Sequence, residues 1–295
     1  MSFTFLNLFF FLLIEMQIGV IGNGFVGKAT CQLQCKEINV LSYDLNPSLC
    51  VPPGTTLEDL VKKCEIIFVS VPTPMSKTGE CHLAILESVV QQLHELDYAG
   101  FIVVRSTVPV GTCDRLGVYF MPEFLTEKNY IQDFIDNKDW IFGEPPQKNP
   151  SFPTTIERLM NAAHANECIQ HNTLHFTSNS TAEMTKLFRN CYLATKVAFC
   201  NEIFQFCEQK GITYEDVRFL ATLDDRITTS HSKTPGHDGR RGFGGTCFPK
   251  DMASLRHQIQ TNGLQSFIIR AAIERNETID RPEKDWSTDV GRATI

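Results

Sequence analysis

Short runs of apolar residues recur along the first 180 positions, each followed by a stretch in which apolar and polar residues mix at helical spacing. Ile18 to Ile21, Ile38 to Ser42, Ile66 to Val71, Phe101 to Val104 and Tyr119 to Met121 are such runs, and His175-Phe176-Thr177 reads as the last strand of this half. Strands that are apolar throughout, separated by helical segments, predict a parallel sheet covered on both faces. In sheets of this kind ligands bind beyond the carboxyl ends of the strands. The polar residues just past the runs, Thr73 and Thr107, are therefore candidates to line a ligand site, although each also fits a turn residue satisfying local backbone. The segment Asn149 to Pro153 reads as a loop before one more helix.

From position 180 the pattern changes to helices alone. Ser180-Thr181-Ala182-Glu183 has the form of a capping box, and the helix it opens runs about 30 residues to the stop signal Lys210-Gly211. That length suits a connector between domains and a surface for pairing two copies of the chain. Glu183, Lys186 and Asn190 share one face of it. They fit either a solvated stripe or a pair of donors, Lys186 and Asn190, aimed at an oxygen that becomes negative during a reaction. A shorter helix holds Glu215, Val217, Phe219 and Leu220, and a further helical segment spans Ser266 to Asn276. The fold class expected is α/β: a Rossmann-type parallel-sheet domain over 16–179 and a smaller all-helical domain over 180–280 entered by the long helix. A short tail follows over 281–295.

The first run leads into Gly22-Asn23-Gly24-Phe25-Val26-Gly27, a G-x-G-x-x-G pattern with a strand before it and an amphipathic stretch after it. The second run ends at Asp44, about 20 residues on, as the dinucleotide fingerprint requires. Gly22 is expected to make the tight turn, Gly24 to admit the pyrophosphate and Gly27 to let helix pack on strand. Phosphates held by the turn and the helix N-terminus, and an acid at Asp44 for the ribose hydroxyls, predict NAD rather than NADP as cofactor. The alternative is a glycine turn beside an unrelated surface aspartate.

Composition narrows the rest. A formal charge of −7 over 295 residues, with no long basic run, argues against nucleic acid as a partner. Eleven cysteines lie scattered in apolar segments with no C-x-x-C pair and no Cys/His cluster at metal spacing. They read as reduced thiols of a cytoplasmic enzyme with no metal site. The stretch from Phe3 to Ile14 is apolar but short for a membrane span, and it lacks the basic flank and cleavage site of a signal peptide. Residues 1–15 read as an extension upstream of the natural start, or else as a membrane tether.

The chemistry is expected at Gly242-Phe243-Gly244-Gly245-Thr246-Cys247-Phe248-Pro249-Lys250-Asp251. Pro249 suits the first position of a helix whose inner face is Met252, Leu255 and Ile259 and whose stop is Gly263. A thiol at a helix entrance beside Lys250 is expected to have a lowered pKa, with Asp251 near enough to position a water. An inert buried cysteine in a tight turn fits the same residues. Glu123, after Pro122, reads as a general base raised by water exclusion or as a solvated loop acid. The loop Ile227 to Arg241, with His231, Lys233, His237, Arg240 and Arg241, reads as a positive patch for an anionic small substrate.

Taken in order, the Gly22–Gly27 fingerprint, Val71-Pro72-Thr73-Pro74, Ser106-Thr107-Val108-Pro109, Pro122 to Glu127, Glu183 with Lys186 and Asn190, and Gly242 to Asp251 resemble the UDP-glucose/GDP-mannose dehydrogenase family. The resemblance runs from Met16 to about Met252. It implies oxidation of a nucleotide sugar's primary alcohol to a carboxylate with two NAD+. Cys247 would then hold a thiohemiacetal and afterwards a thioester, Lys186 and Asn190 would stabilise the oxyanion, and Glu123, Thr107 and Asp251 would activate water. It also implies that Glu123, Phe124, Leu125, Glu127, Lys186, Asn190, Phe243 and Gly244 contact the sugar nucleotide, and that Arg226 reaches the site of a second subunit in a homodimer. UDP-glucose is the substrate implied first; GDP-mannose, a UDP-N-acetylhexosamine or a non-catalytic dinucleotide-binding role are the alternatives. Two departures stand out: Met121 where the family usually has asparagine, and an end to the chain without room for the family's further C-terminal nucleotide-binding domain.

Overall fold

A seven-stranded sheet carries the amino-terminal half in the computed structural model, which describes residues 16–295. The expectations for 1–15 fall outside the described residues. The strands are β1 (Met16–Ile21), β2 (Ile38–Tyr43), β3 (Ile66–Val69), β4 (Phe101–Val104), β5 (Tyr119–Phe120), β6 (Asp139–Glu144) and β7 (Thr173–Ser178). Their spatial order is β2-β1-β3-β4-β5-β6-β7, parallel throughout except for one antiparallel pairing of β5 with β6, Phe120 opposite Gly143. Side chains alternate between faces along each strand. Ile18, Val20, Ile66 and Phe68 enter a core with Phe134, Phe152 and Ile156, from α5 (Tyr130–Ile135) and α6 (Ser151–Ala165). Ile67, Val69 and Val104 face Leu60 of α2 (Leu57–Lys63) and Leu86, Val90 and Leu93 of α3 (Ala84–Glu95) on the opposite side. Both faces are buried, which is why the runs show no polar alternation. Met121, the departure noted above, is buried in the first of these cores.

Two features depart from the sequence reading. Strand β6 has no counterpart in it, because Asp139 and Glu144 bound the strand and a glycine interrupts it. Gly143 is required there, since a Cβ would lie 2.8 Å from the Cα of Asn179. The segment expected as a loop at 149–153 already belongs partly to α6, which starts at Ser151. Pro153 sits in its first turn, where a missing N–H breaks no helical bond.

The long helix α7 spans Asn179–Lys210 and ends at Gly211 in the left-handed conformation, φ 66°. Its cap is Ser178, whose hydroxyl accepts the N–H of Thr181, not Ser180. Ser180 donates instead to Asp114. Glu183 turns away from its own helix and accepts the N–H groups of Gly111 (2.6 Å) and Cys113 (2.8 Å) at the start of α4 (Thr112–Leu116). The capping box is thus replaced by a cap given across the chain to another helix. Beyond α7 lie α8 (Tyr214–Ala221), α9 (Phe248–Thr261) and α10 (Phe267–Arg275). Leu187, Cys191, Ala194 and Ala198 of α7 pack on Met252 and Leu255 of α9 and on Ala272 and Ile273 of α10.

The tail returns to the sheet domain: Met75 donates to Ala293 O (2.9 Å) and accepts from Ile295 N (3.1 Å). Among the described residues no helix is long and apolar enough to cross a membrane. Because Glu183 is fully buried and holds two N–H groups, Glu183→Ala should lower unfolding stability by about 3 kcal/mol. Urea denaturation checks this, and a change within about 0.5 kcal/mol would remove Glu183 as a link between the two halves.

Candidate active site

The glycine turn has the geometry its pattern demands. Gly22 has φ +84°, and a Cβ there would lie 2.6 Å from the Ser70 carbonyl oxygen. At Gly27 a Cβ would come 2.0 Å from the Gly22 carbonyl oxygen, so α1 (Phe25–Thr30) packs directly on the turn. At Gly24 a Cβ would meet nothing within 4 Å, which leaves open space on the side facing the cleft. No side chain caps α1, so its leading N–H groups have no side-chain partner. Asp44, just past β2, accepts from Asn23 N and Asn46 N, both at 2.8 Å, and its carboxylate is fixed beside the turn. Asn23 is buried and clamps the turn through its amide, which donates to Leu49 O at 2.7 Å. Phe25 and Val26 line the cleft, and the Phe25 ring packs on Tyr130. An open glycine, uncapped amides and a positioned carboxylate fit a dinucleotide with free ribose hydroxyls.

The same cleft continues across the carboxyl ends of β3, β4 and β5, where Thr73, Thr107, Glu123, Leu125, Glu127, Cys247 and Lys250 line it. Thr73 donates to Thr107 O at 2.7 Å and ties the two strand ends together. Cys247 is the residue immediately before α9, and Pro249 takes the second helical position, not the first. Lys186 Nζ donates to the Glu123 carbonyl (2.7 Å) and carboxylate (2.5 Å). Asn190 Nδ2 donates to Asp251 Oδ2 at 2.6 Å, and Lys250 Nζ donates to Asp251 Oδ1 at 2.7 Å. Lys186, Asn190, Glu123 and Asp251 are all buried, so neither the solvated stripe nor the solvated loop acid describes them. The thiol therefore lies among two lysine–carboxylate pairs.

That charge balance overturns two expectations. Burial, then the Glu123 carboxylate, hold the Cys247 thiol above its ordinary value, and Lys186 and Lys250 only partly offset them. The lowering expected from the helix end and Lys250 does not prevail. Glu123 moves the other way: burial pushes it up, but Lys186, the Leu125 N–H and Arg105 outweigh that and hold it below its ordinary value. Glu123 is an ionised partner of Lys186, not a carboxyl raised by a dry site.

The remaining predicted residues separate. Leu125 and Glu127 line the cleft, and Phe124 lies under the Arg189 guanidinium, 3.5 Å from its ring centre. Phe243 is instead a core residue of the helical half, its backbone held by Asn276 at 2.8 Å on both N–H and C=O. Gly244 faces Arg281, whose Cζ would be 2.4 Å from an added Cβ. Arg226 is exposed, pairs with Asp224 and does not line the cleft. The basic loop is largely neutralised, because Arg240 pairs with Glu283 and Asp285 and Arg241 with Glu208.

Two cations at the cleft were missed. Arg105 is buried at the end of β4, donates to Thr30 and lies 5.3 Å over the Phe134 ring. A charged residue directly after an apolar strand was the available signal for it. Arg292, from the tail, pairs with Glu127 at 2.8 Å and lies 5.0 Å over the Phe25 ring. Nothing local in the sequence marks it.

Comparison with known proteins agrees with this geometry. Residues 53–163 match the NAD binding domain, and residues 180–278 the central domain, of the UDP-glucose/GDP-mannose dehydrogenase family. The UDP-glucose 6-dehydrogenase TuaD of Bacillus subtilis is 31% identical over 306 residues, a match covering 88% of this chain and 63% of that protein. The UDP-glucose 6-dehydrogenase of Pseudomonas aeruginosa is 31% identical over 239 residues, covering 75% of this chain and 50% of that protein. The chain thus spans about half to two thirds of these curated relatives. A UDP-glucose dehydrogenase structure from Pyrobaculum islandicum superposes with TM-score 0.76 at 23% identity, covering 89% of this chain and 68% of that one. With both family domains matched in order, and with Gly24 of the glycine turn, Thr107, Glu123 and Cys247 lining one cleft, the chain belongs to the UDP-glucose/GDP-mannose dehydrogenase family.

Proposed function

We propose that the chain oxidises the primary alcohol of a nucleotide sugar, UDP-glucose first, to the carboxylate with two NAD+ and one water. The observation that carries this reading is Cys247 facing the dinucleotide cleft among the Lys186–Glu123 and Lys250–Asp251 pairs. Gly22, Gly24, Gly27 and Asp44 would hold NAD, with Arg292 adding positive charge at the rim. Bound NAD+ supplies the hydride acceptor for each of the two oxidations.

The chain's own groups supply the rest. Lys186 and Asn190 lie on one face of α7 and donate toward the oxygen that bears charge when the alcohol is deprotonated and when a tetrahedral carbon forms. Cys247 adds through sulfur to the aldehyde carbon, its proton passing to the carbonyl oxygen, and gives a thiohemiacetal. Loss of hydride and a proton converts this to a thioester, so the half-oxidised sugar is never released. Water then attacks the thioester carbon, the carboxylate leaves and the thiol is restored. Glu123 is ionised and Asp251 is a buried carboxylate held by two donors; with Thr107 they supply acceptors to orient that water. Family members that are named for UDP-glucose support the choice of sugar.

The outward stripe of α7, with Phe188, Tyr192, Phe199 and Phe206 all exposed, supports a homodimer. In it the exposed Arg226 would be free to reach the partner's site.

Incubation with NAD+ and UDP-glucose should yield two NADH per sugar, and Cys247→Ser should cut net carboxylate formation by on the order of a thousandfold or more. Turnover with GDP-mannose alone would change the substrate but not the chemistry; full activity of Cys247→Ser would overturn the thioester. Because the thiol is raised, alkylation of Cys247 by iodoacetamide without cofactor should be slower at pH 7 than that of free cysteine. It should rise about tenfold per pH unit as the thiolate fraction grows. A rate flat between pH 6 and 8, followed by mass spectrometry of the Cys247 peptide, would show a thiolate already formed. Sedimentation should give a dimer, and Phe199→Asp should shift it toward monomer; a wild-type monomer would remove the α7 interface.

A further inference from the structure

All eleven cysteines are free thiols, and two that are far apart in sequence meet outside the cleft. Cys35 lies in the turn before β2, where its N–H and C=O both pair with Ile38 (3.0 and 3.3 Å). Cys168 lies in the turn after α6, its N–H bonded to Ala163 O at 2.9 Å. The Cys168 thiol donates to the carbonyl oxygen of Gln34, the peptide directly before Cys35, at 3.5 Å, and both cysteines pack against the same core. A second contact joins the same two turns, from the Asn166 amide to the Glu37 carboxylate. Both cysteines are only partly buried, so a small oxidant can reach them.

We propose that Cys35 and Cys168 form a reversible disulfide that staples the turn before β2 to the turn after α6. The step is thiol–disulfide exchange with a low-molecular-weight disulfide such as glutathione disulfide. One protein thiolate attacks it, displaces one thiol and leaves a mixed disulfide; the second protein thiolate attacks that bond, releases the other thiol and closes the bridge. Two protein S–H groups are oxidised and one disulfide is reduced to two thiols. Adjacency favours the second step over hydrolysis or attack by another molecule. Burial, Cys35 and Glu37 hold the Cys168 thiol above its ordinary value, so its thiolate fraction at neutral pH is small and closure is slow.

Both cysteines precede strands, β2 and β7, and so sit at the amino edge of the sheet. The cleft and Cys247 lie at the carboxyl edge. The bridge is therefore a site distinct from the reacting thiol, and it would tie together parts of the chain more than a hundred residues apart. Constraining so long a loop raises stability by limiting the unfolded chain.

The test incubates the full chain with glutathione disulfide over a range of glutathione ratios and maps peptides without reduction. The expected product is a Cys35–Cys168 cross-link 2 Da lighter than the reduced pair, absent in Cys35→Ser and Cys168→Ser and preserved in Cys31→Ser, which removes another partly buried thiol packed on the same core. Melting of the oxidised protein should rise by roughly 5–10 °C over the reduced form, and dithiothreitol should reverse it. Glutathionylation of both cysteines with no cross-link, a bridge through Cys31 instead, or a cross-link with unchanged or lowered melting would overturn the proposal. Because the readouts are mass and melting, this outcome is independent of whether the dehydrogenase reading holds.

Discussion

Three of the buried polar side chains on one face of α7, Glu183, Lys186 and Asn190, are each satisfied by a different part of the chain. Glu183 caps α4, Lys186 pairs with Glu123 after β5, and Asn190 donates to Asp251 in α9. A buried charge or amide left without its partner costs several kcal/mol, so these contacts can form only when the sheet and the helices adopt one relative placement. The helix that joins the two halves thereby also sets their register. Cys247 arrives in the cleft because α9 is held by the same face.

The site so assembled holds its charges in pairs. Two lysines and two carboxylates surround a thiol that burial keeps protonated. A cysteine at a bare helix end with a lone cation nearby would be ionised and open to chance oxidation. Here each lysine is already committed to a carboxylate, and the two only partly offset burial and Glu123 at the sulfur. In the proposed reaction the negative charge that Lys186 and Asn190 would stabilise arises only on a substrate oxygen during turnover, which is the condition under which donors accelerate a step instead of merely tightening binding.

The tail adds a long-range contribution. Its pairing with Met75 carries Arg292 over Phe25 and onto Glu127, so residues at opposite ends of the sequence share one rim. The carboxyl edge of the sheet presents the Cys247 thiol to the cleft, and the amino edge brings Cys168 to the peptide before Cys35.

Strands β1 to β4 and the glycine turn were legible in the chain because their signals are local. Uniformly apolar runs state that both faces are covered, and Gly22, Gly24 and Gly27 are glycines for reasons of turn geometry and close approach that their spacing exposes. The Lys186–Asn190 spacing likewise placed two donors on one helix face. Strand β6 was hidden by its flanking acids and its glycine. The cap of α7 was misplaced by two residues because Glu183 prefers the α4 amides, which no window around Ser180 contains. The sequence by itself determined the sheet, the long helix and the residue types of the site. Only the tertiary structure decided their charge states, the burial of Phe243 and the reach of Arg292, because those depend on which distant groups are brought within a few ångströms and cut off from water.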